Sequence, residues 1–90
     1  MGVKKIARPI NKARNNFVKW LKDNNAESID VFEGKKNDEW DYYRSVSAFV
    51  GKTSYMVDFM IWNGDLKIDY RDGENIYKDL SIEDFNELIK

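Results

Sequence analysis

Asn63-Gly64 is the tightest constraint in this sequence, because it joins two alternating stretches as a two-residue type I′ hairpin turn does. With that turn centred, Ile61 stands opposite Leu66, Phe59 opposite Ile68 and Val57 opposite Tyr70. All three pairs are apolar and share one face of an antiparallel sheet. A turn centred on Lys52-Thr53 extends the same face to the preceding strand, setting Val50 against Tyr55, Ala48 against Val57 and Val46 against Phe59. The sequence thus predicts strands over 40–50, 55–62 and 65–71. Residues 28–32 read as a further short strand, 33–39 as a loop, 72–75 as a turn and 76–80 as a brief edge strand.

Two helical patterns flank these strands. From Pro9 or Asn11 to Asn24, Ile10, Ala13, Phe17, Val18, Trp20 and Leu21 fall on one arc at 100° per residue. Pro9 suits a first helical turn and Asn24-Asn25 a stop. Ser81 reads as the N-cap of a last helix, with Asp84 in the reciprocal capping position and Ile82, Phe85, Leu88 and Ile89 as its apolar stripe. One sheet face has to cover both stripes. The expected fold is α+β, an N-terminal amphipathic helix, an antiparallel meander of three to four strands and a short C-terminal helix. Ninety residues support a single domain, 1–90, with 1–8 as a basic N-terminal segment.

Charge is divided along the chain. Residues 1–22 hold Lys4, Lys5, Arg8, Lys12, Arg14, Lys19 and Lys22 and no acid, a net +7. The remainder holds all sixteen acids against eight bases, a net −8. On the first helix Lys12, Asn15, Asn16, Lys19, Lys22 and Asp23 fill the arc opposite the apolar one, and Arg14 lies at its edge. Such a division points to an anionic partner, and the alternative is a helix neutralised by its own acidic domain. The seven cations are the candidate nucleic-acid contacts, through phosphates of RNA or of a single strand.

The second sheet face supplies a second candidate. By the same register it carries Tyr43, Phe49, Met56, Met60 and Trp62, with Lys67 and Arg71 nearby, placing Tyr43 beside Trp62 and Phe49 beside Met56. Aromatics and methionines on a solvent face suit stacked bases or a protein partner, unless another segment of the chain covers them. Asp58 and Asp69 fall directly opposite each other, with Lys67 and Arg71 as diagonal neighbours able to compensate. Two aspartates with no third ligand fall short of a Mg²⁺ or Ca²⁺ site, so no metal is expected. With neither Cys nor His, disulfides, thiol nucleophiles, Cys/His zinc sites and histidine bases are excluded. No glycine-rich phosphate loop or catalytic constellation appears, and the expectation is a non-enzymatic binding protein without cofactor.

The order helix, strands, helix resembles the double-stranded RNA-binding domain in topology. That family's basic cluster opens its last helix, whereas here Ser81-Ile82-Glu83-Asp84 is acidic, so its binding residues are not carried over. A meander followed by a C-terminal helix also resembles single-strand-binding coactivator domains. In diction the whole chain, rich in Asn, Lys, Asp and aromatics, resembles the small accessory proteins of T-even-type bacteriophages. That resemblance implies host takeover or anti-defence, an inhibitor or antitoxin-like module binding a host toxin, nuclease or other nucleic-acid enzyme. It is the alternative to nucleic-acid binding. Met1-Gly2-Val3-Lys4-Lys5 lacks a signal-peptide stretch, so the expected location is the cytoplasm, that of the host cell for a phage protein.

Overall fold

The structure is a computed structural model that describes residues 3–34, 42–62 and 64–89, with side chains from residue 8 onward. Helix α1 (Val3–Asp23) is followed by strands β1 (Glu27–Gly34), β2 (Tyr42–Val50), β3 (Thr53–Trp62), β4 (Asp65–Asp72) and β5 (Asn75–Leu80), then helix α2 (Ile82–Leu88). The strands form one antiparallel sheet in the order β1-β2-β3-β4-β5. The fold is α+β as expected, with five strands instead of three to four. Within the 28–32 stretch Asp30, Val31 and Phe32 pair with β2, Ser28 and Ile29 lying in a bulge, and the 76–80 stretch pairs with β4.

The hairpin that anchored the sequence reading has the expected register, with Ile61 opposite Leu66, Phe59 opposite Ile68 and Val57 opposite Tyr70. Gly64 holds φ +80, a conformation that costs a residue without Cβ little. Asn63 lies outside the described residues. The turn between β2 and β3 lies one residue earlier than expected, which shifts the pairing register by two. Val50 pairs with Thr53, so Gly51-Lys52 makes the turn, and Gly51 supplies the positive φ of +61 at its first position. Val46 therefore meets Val57, and Ala48 meets Tyr55. A slip of two leaves every side chain on its expected face, whereas a slip of one would have exchanged the faces.

Both helices pack on the same side of the sheet. Ile10, Ala13, Phe17 and Leu21 of α1 join Val46, Ala48, Val57, Phe59, Ile61, Ile68 and Tyr70 of the strands. Phe85 of α2 is fully buried at the centre, its ring against Phe17, Phe59 and Tyr70 at 5.4–5.6 Å. Leu88, read as part of the α2 stripe, is 39% exposed, while Ile89 closes the stripe instead. The Ser81 hydroxyl accepts the Asp84 N–H at 3.1 Å, the N-cap that the sequence announced.

The helix start is a correction. Pro9 sits inside α1, six residues after its first, and residues 3–8 continue the helix instead of forming a separate segment. Proline gives up one i→i−4 bond there. The sequence keeps helical spacing upstream of it through Val3, Ile6 and Ile10, a period that a proline-based boundary overlooks. The stop is as expected. Asn25 takes φ 60, and the Ala26 and Asn25 N–H groups donate to the carbonyls of Leu21 and Lys22, the paired bonds of a Schellman ending. Alanine lacks asparagine's tolerance of the left-handed region, so Asn25→Ala is expected to cost about 1 kcal/mol, and Asn25→Gly little or nothing. Urea unfolding of the two variants checks this, and equal midpoints would contradict it.

Burial raises the Tyr70 phenol well above its ordinary value near 10, with Asp72, Tyr55 and Tyr77 adding to the shift. The folded chain thus prefers the neutral phenol more strongly than the unfolded chain does. The resulting stability is complete below pH 10 and is lost as pH climbs past it. Tyr70→Phe is therefore expected to stay folded to higher pH than the wild type when alkaline unfolding is followed by circular dichroism. Identical alkaline midpoints would contradict the assignment.

Candidate functional site

The cations of α1 separate into two groups. Arg8, Lys12, Lys19 and Lys22 are all exposed, and with Asn15 they recur at spacings of four, three, four and three residues. That spacing lines them along one side of the helix, over about 21 Å at 1.5 Å per residue. Burial of Ile10, Ala13, Phe17 and Leu21 turns this side away from the sheet. Among the described residues the ion pairs are Arg14–Glu33 at 2.9 Å and Arg44–Glu33 at 3.4 Å, so none involves the row. On α1 itself the acid next to the row in sequence is Asp23, at the helix end. Lys4 and Lys5 belong to α1, but their side chains lie outside the described residues.

Arg14 departs from the set named from sequence. It points toward the β1 edge, its side chain 18% exposed, and donates to Glu33. Arg44 approaches the same carboxylate, donates to the Tyr43 carbonyl at 2.7 Å and lies 4.1 Å from the centre of the Tyr42 ring. The Tyr42 hydroxyl in turn donates to Asn11 Oδ1 at 2.6 Å. These contacts bind the outer strands to α1, so Arg14 acts in holding the helix to the sheet. A pairing between residues nineteen apart leaves no local trace in sequence.

Beside the row, Lys12 and Asn16 of α1 line a groove together with Asn86 and Ile89. Asn86 Oδ1 is buried with no hydrogen-bond partner among the described residues. Nothing in the sequence pattern singled out Asn86.

The other sheet face carries the second named set, and among the described residues no element packs over it. Phe49 and Trp62 are half exposed and Met56 is 37% exposed, joined by Phe32 at 56% and Ile76, which the sequence reading did not name. The two-residue shift in the β2–β3 register rearranges the neighbours. Tyr43 stands opposite Met60 instead of Trp62, and Phe49 opposite Ser54 instead of Met56. Lys67 lies 5.4 Å from the Trp62 ring, and the Tyr43 ring meets Phe32 edge-on.

Asp58 and Asp69 are directly opposed, as the register requires. Lys67 and Arg71 make no ion pair with them. The Tyr43 hydroxyl donates to Asp58 at 2.9 Å, and the Asp79 N–H donates to Asp69 at 3.1 Å. Burial raises the Tyr43 phenol above its ordinary value, with the Asp58 bond and charge adding to the shift. Asp79 reaches its position at φ 54, where β5 bulges against β4.

The two candidate surfaces lie on opposite sides of the molecule, since α1 covers one sheet face and turns its cationic side outward. Comparison with known proteins gives no matching family model, no similar curated protein and no similar solved structure.

Proposed function

We propose that this chain is a non-enzymatic binding protein that holds RNA or single-stranded nucleic acid along the outer side of α1. The observation that carries this reading is the row Arg8, Lys12, Lys19 and Lys22, exposed and without an ion pair among the described residues. Phosphates meeting such a row release their condensed counterions, and the binding then weakens linearly in log–log terms as salt rises. The asparagines between and beside the lysines offer amides to sugars and base edges, as does Asn86 in the adjoining groove. About 21 Å of helix spans roughly six nucleotides at a rise of 3.4 Å each.

Fluorescence anisotropy of a labelled ten-nucleotide RNA tests the reading. Four phosphate contacts give an expected slope of log K against log salt of about −3 for a single strand. A flat salt dependence, or no binding at low salt, would contradict it.

A second reading rests on the sheet face that no element packs over among the described residues. Its aromatic and methionine side chains suit a protein partner, in keeping with a host-directed inhibitor, and its location leaves α1 free to act at the same time.

A further inference from the structure

Strands β1 to β3 present their open face at Glu27, Asp30 and Phe32, then Tyr43 and Phe49, then Met56, Asp58, Met60 and Trp62, by the register that sets Asp30 opposite Ser47, Phe32 opposite Ser45 and Ser45 opposite Asp58. Among the described residues, this half of the open face holds three carboxylates and no lysine or arginine, and the cations of the open face, Lys67, Arg71 and Lys78, belong to β4 and β5. The acidic half is also the more apolar one, with Phe32, Phe49 and Met56 exposed. We propose that the β1–β3 half of the open face docks a basic, apolar segment of another protein, with arginine or lysine side chains meeting Asp30 and Asp58 while leucines or aromatics cover Phe32 and Met56. The proposal rests on the second reading above and names the chemistry of its partner.

Three observations favour this occupant over a nucleic acid. Phosphates on this half would meet Glu27, Asp30 and Asp58, with no cation on the open face of the same strands among the described residues. Asp58 is held by a neutral donor, the Tyr43 hydroxyl, and stands across from Asp69; Arg71 and Lys78 line the same pocket but form no ion pair with either aspartate among the described residues. An incoming cation relieves the repulsion between the two aspartates, and the flanking rings give its aliphatic stem an apolar bed. The cationic row, by contrast, lies on the far side of α1, so a nucleic acid and a basic protein can be held at once without competing. A partner of that charge is itself suited to nucleic acid, which makes this side a place to capture a nucleic-acid-handling protein.

The test uses the full chain, labelled with ¹⁵N, and three probes: a capped hexapeptide alternating arginine with leucine and tryptophan, the same peptide with glutamate in place of arginine, and decauridylate. The arginine peptide is expected to shift the amides of Asp30, Phe32, Met56 and Asp58, and the glutamate peptide to leave them in place. Asp30→Asn with Asp58→Asn is expected to weaken the arginine peptide about tenfold, from two lost charge pairs near water, while the spectrum stays dispersed. Equal binding of both peptides would overturn the basic partner and leave the protein-binding face standing. No shift with either peptide would overturn both. Decauridylate shifting these strands, or self-association of the free chain through them, would overturn the proposal in favour of a nucleic acid or a second copy.

Discussion

Reversing Lys12, Lys19 and Lys22 to Glu is expected to weaken RNA binding on the order of 10⁴-fold and to leave the fold intact. A single charge pair near water contributes about 1 kcal/mol, and reversal replaces that attraction with a similar repulsion. Three reversals along one line therefore exceed what salt or a single substitution achieves. The fold survives because all three side chains are exposed and none is in an ion pair among the described residues; surface changes of this kind stay within about 0.5 kcal/mol. Arg14→Glu serves as the contrast. It places a second carboxylate beside Glu33, so it is expected to act on stability through the α1–β1 contact and only weakly on binding. Anisotropy and thermal melts on the two variants separate these effects. A triple variant that binds like the wild type would show that the row is a solvated face and nothing more.

Phe85→Ala is expected to destabilise the chain by about 3–5 kcal/mol, the usual cost of emptying a buried aromatic site. Helix α2 has seven residues, too few to stand by itself, so its place in the fold depends on tertiary packing, in which the fully buried Phe85 ring among Phe17, Phe59 and Tyr70 is joined by Ile82 and Ile89. For a domain of this size the loss is a large share of total stability. Leu88→Ala, one turn away and partly exposed, is expected to cost under about 1 kcal/mol. Urea titration of both variants checks the contrast. Comparable midpoints would mean that α2 is not anchored through Phe85.

The register of β3 against β4 was legible because Asn-Gly leaves a hairpin one arrangement, and every cross-strand pair followed from it. The β2–β3 turn was not, since Gly51-Lys52 and Lys52-Thr53 both put apolar residues face to face. Alternation with a period of two cannot tell them apart. That ambiguity is why Tyr43 was set beside Trp62, when it lies across from Met60 and bonds Asp58. The start of α1 was obscured by Pro9, whose preference for first turns outweighed the apolar spacing before it. The bulges at Ser28 and Asp79 place non-glycine residues at positive φ, and no residue type advertises that. The charge division was plain in the sequence. That it splits into an outward row and an inward Arg14–Glu33–Arg44 group required the fold, as did the finding that row and open sheet face point in opposite directions.

Lysine acetylation read by mass spectrometry, with and without bound decauridylate, tests most directly whether the positive side of α1 stays open and is used. Lys12, Lys19 and Lys22 are expected to react rapidly in the free protein and to be shielded together when the RNA is present at low salt. Slow modification of the free chain, or equal modification with RNA bound, would contradict the account.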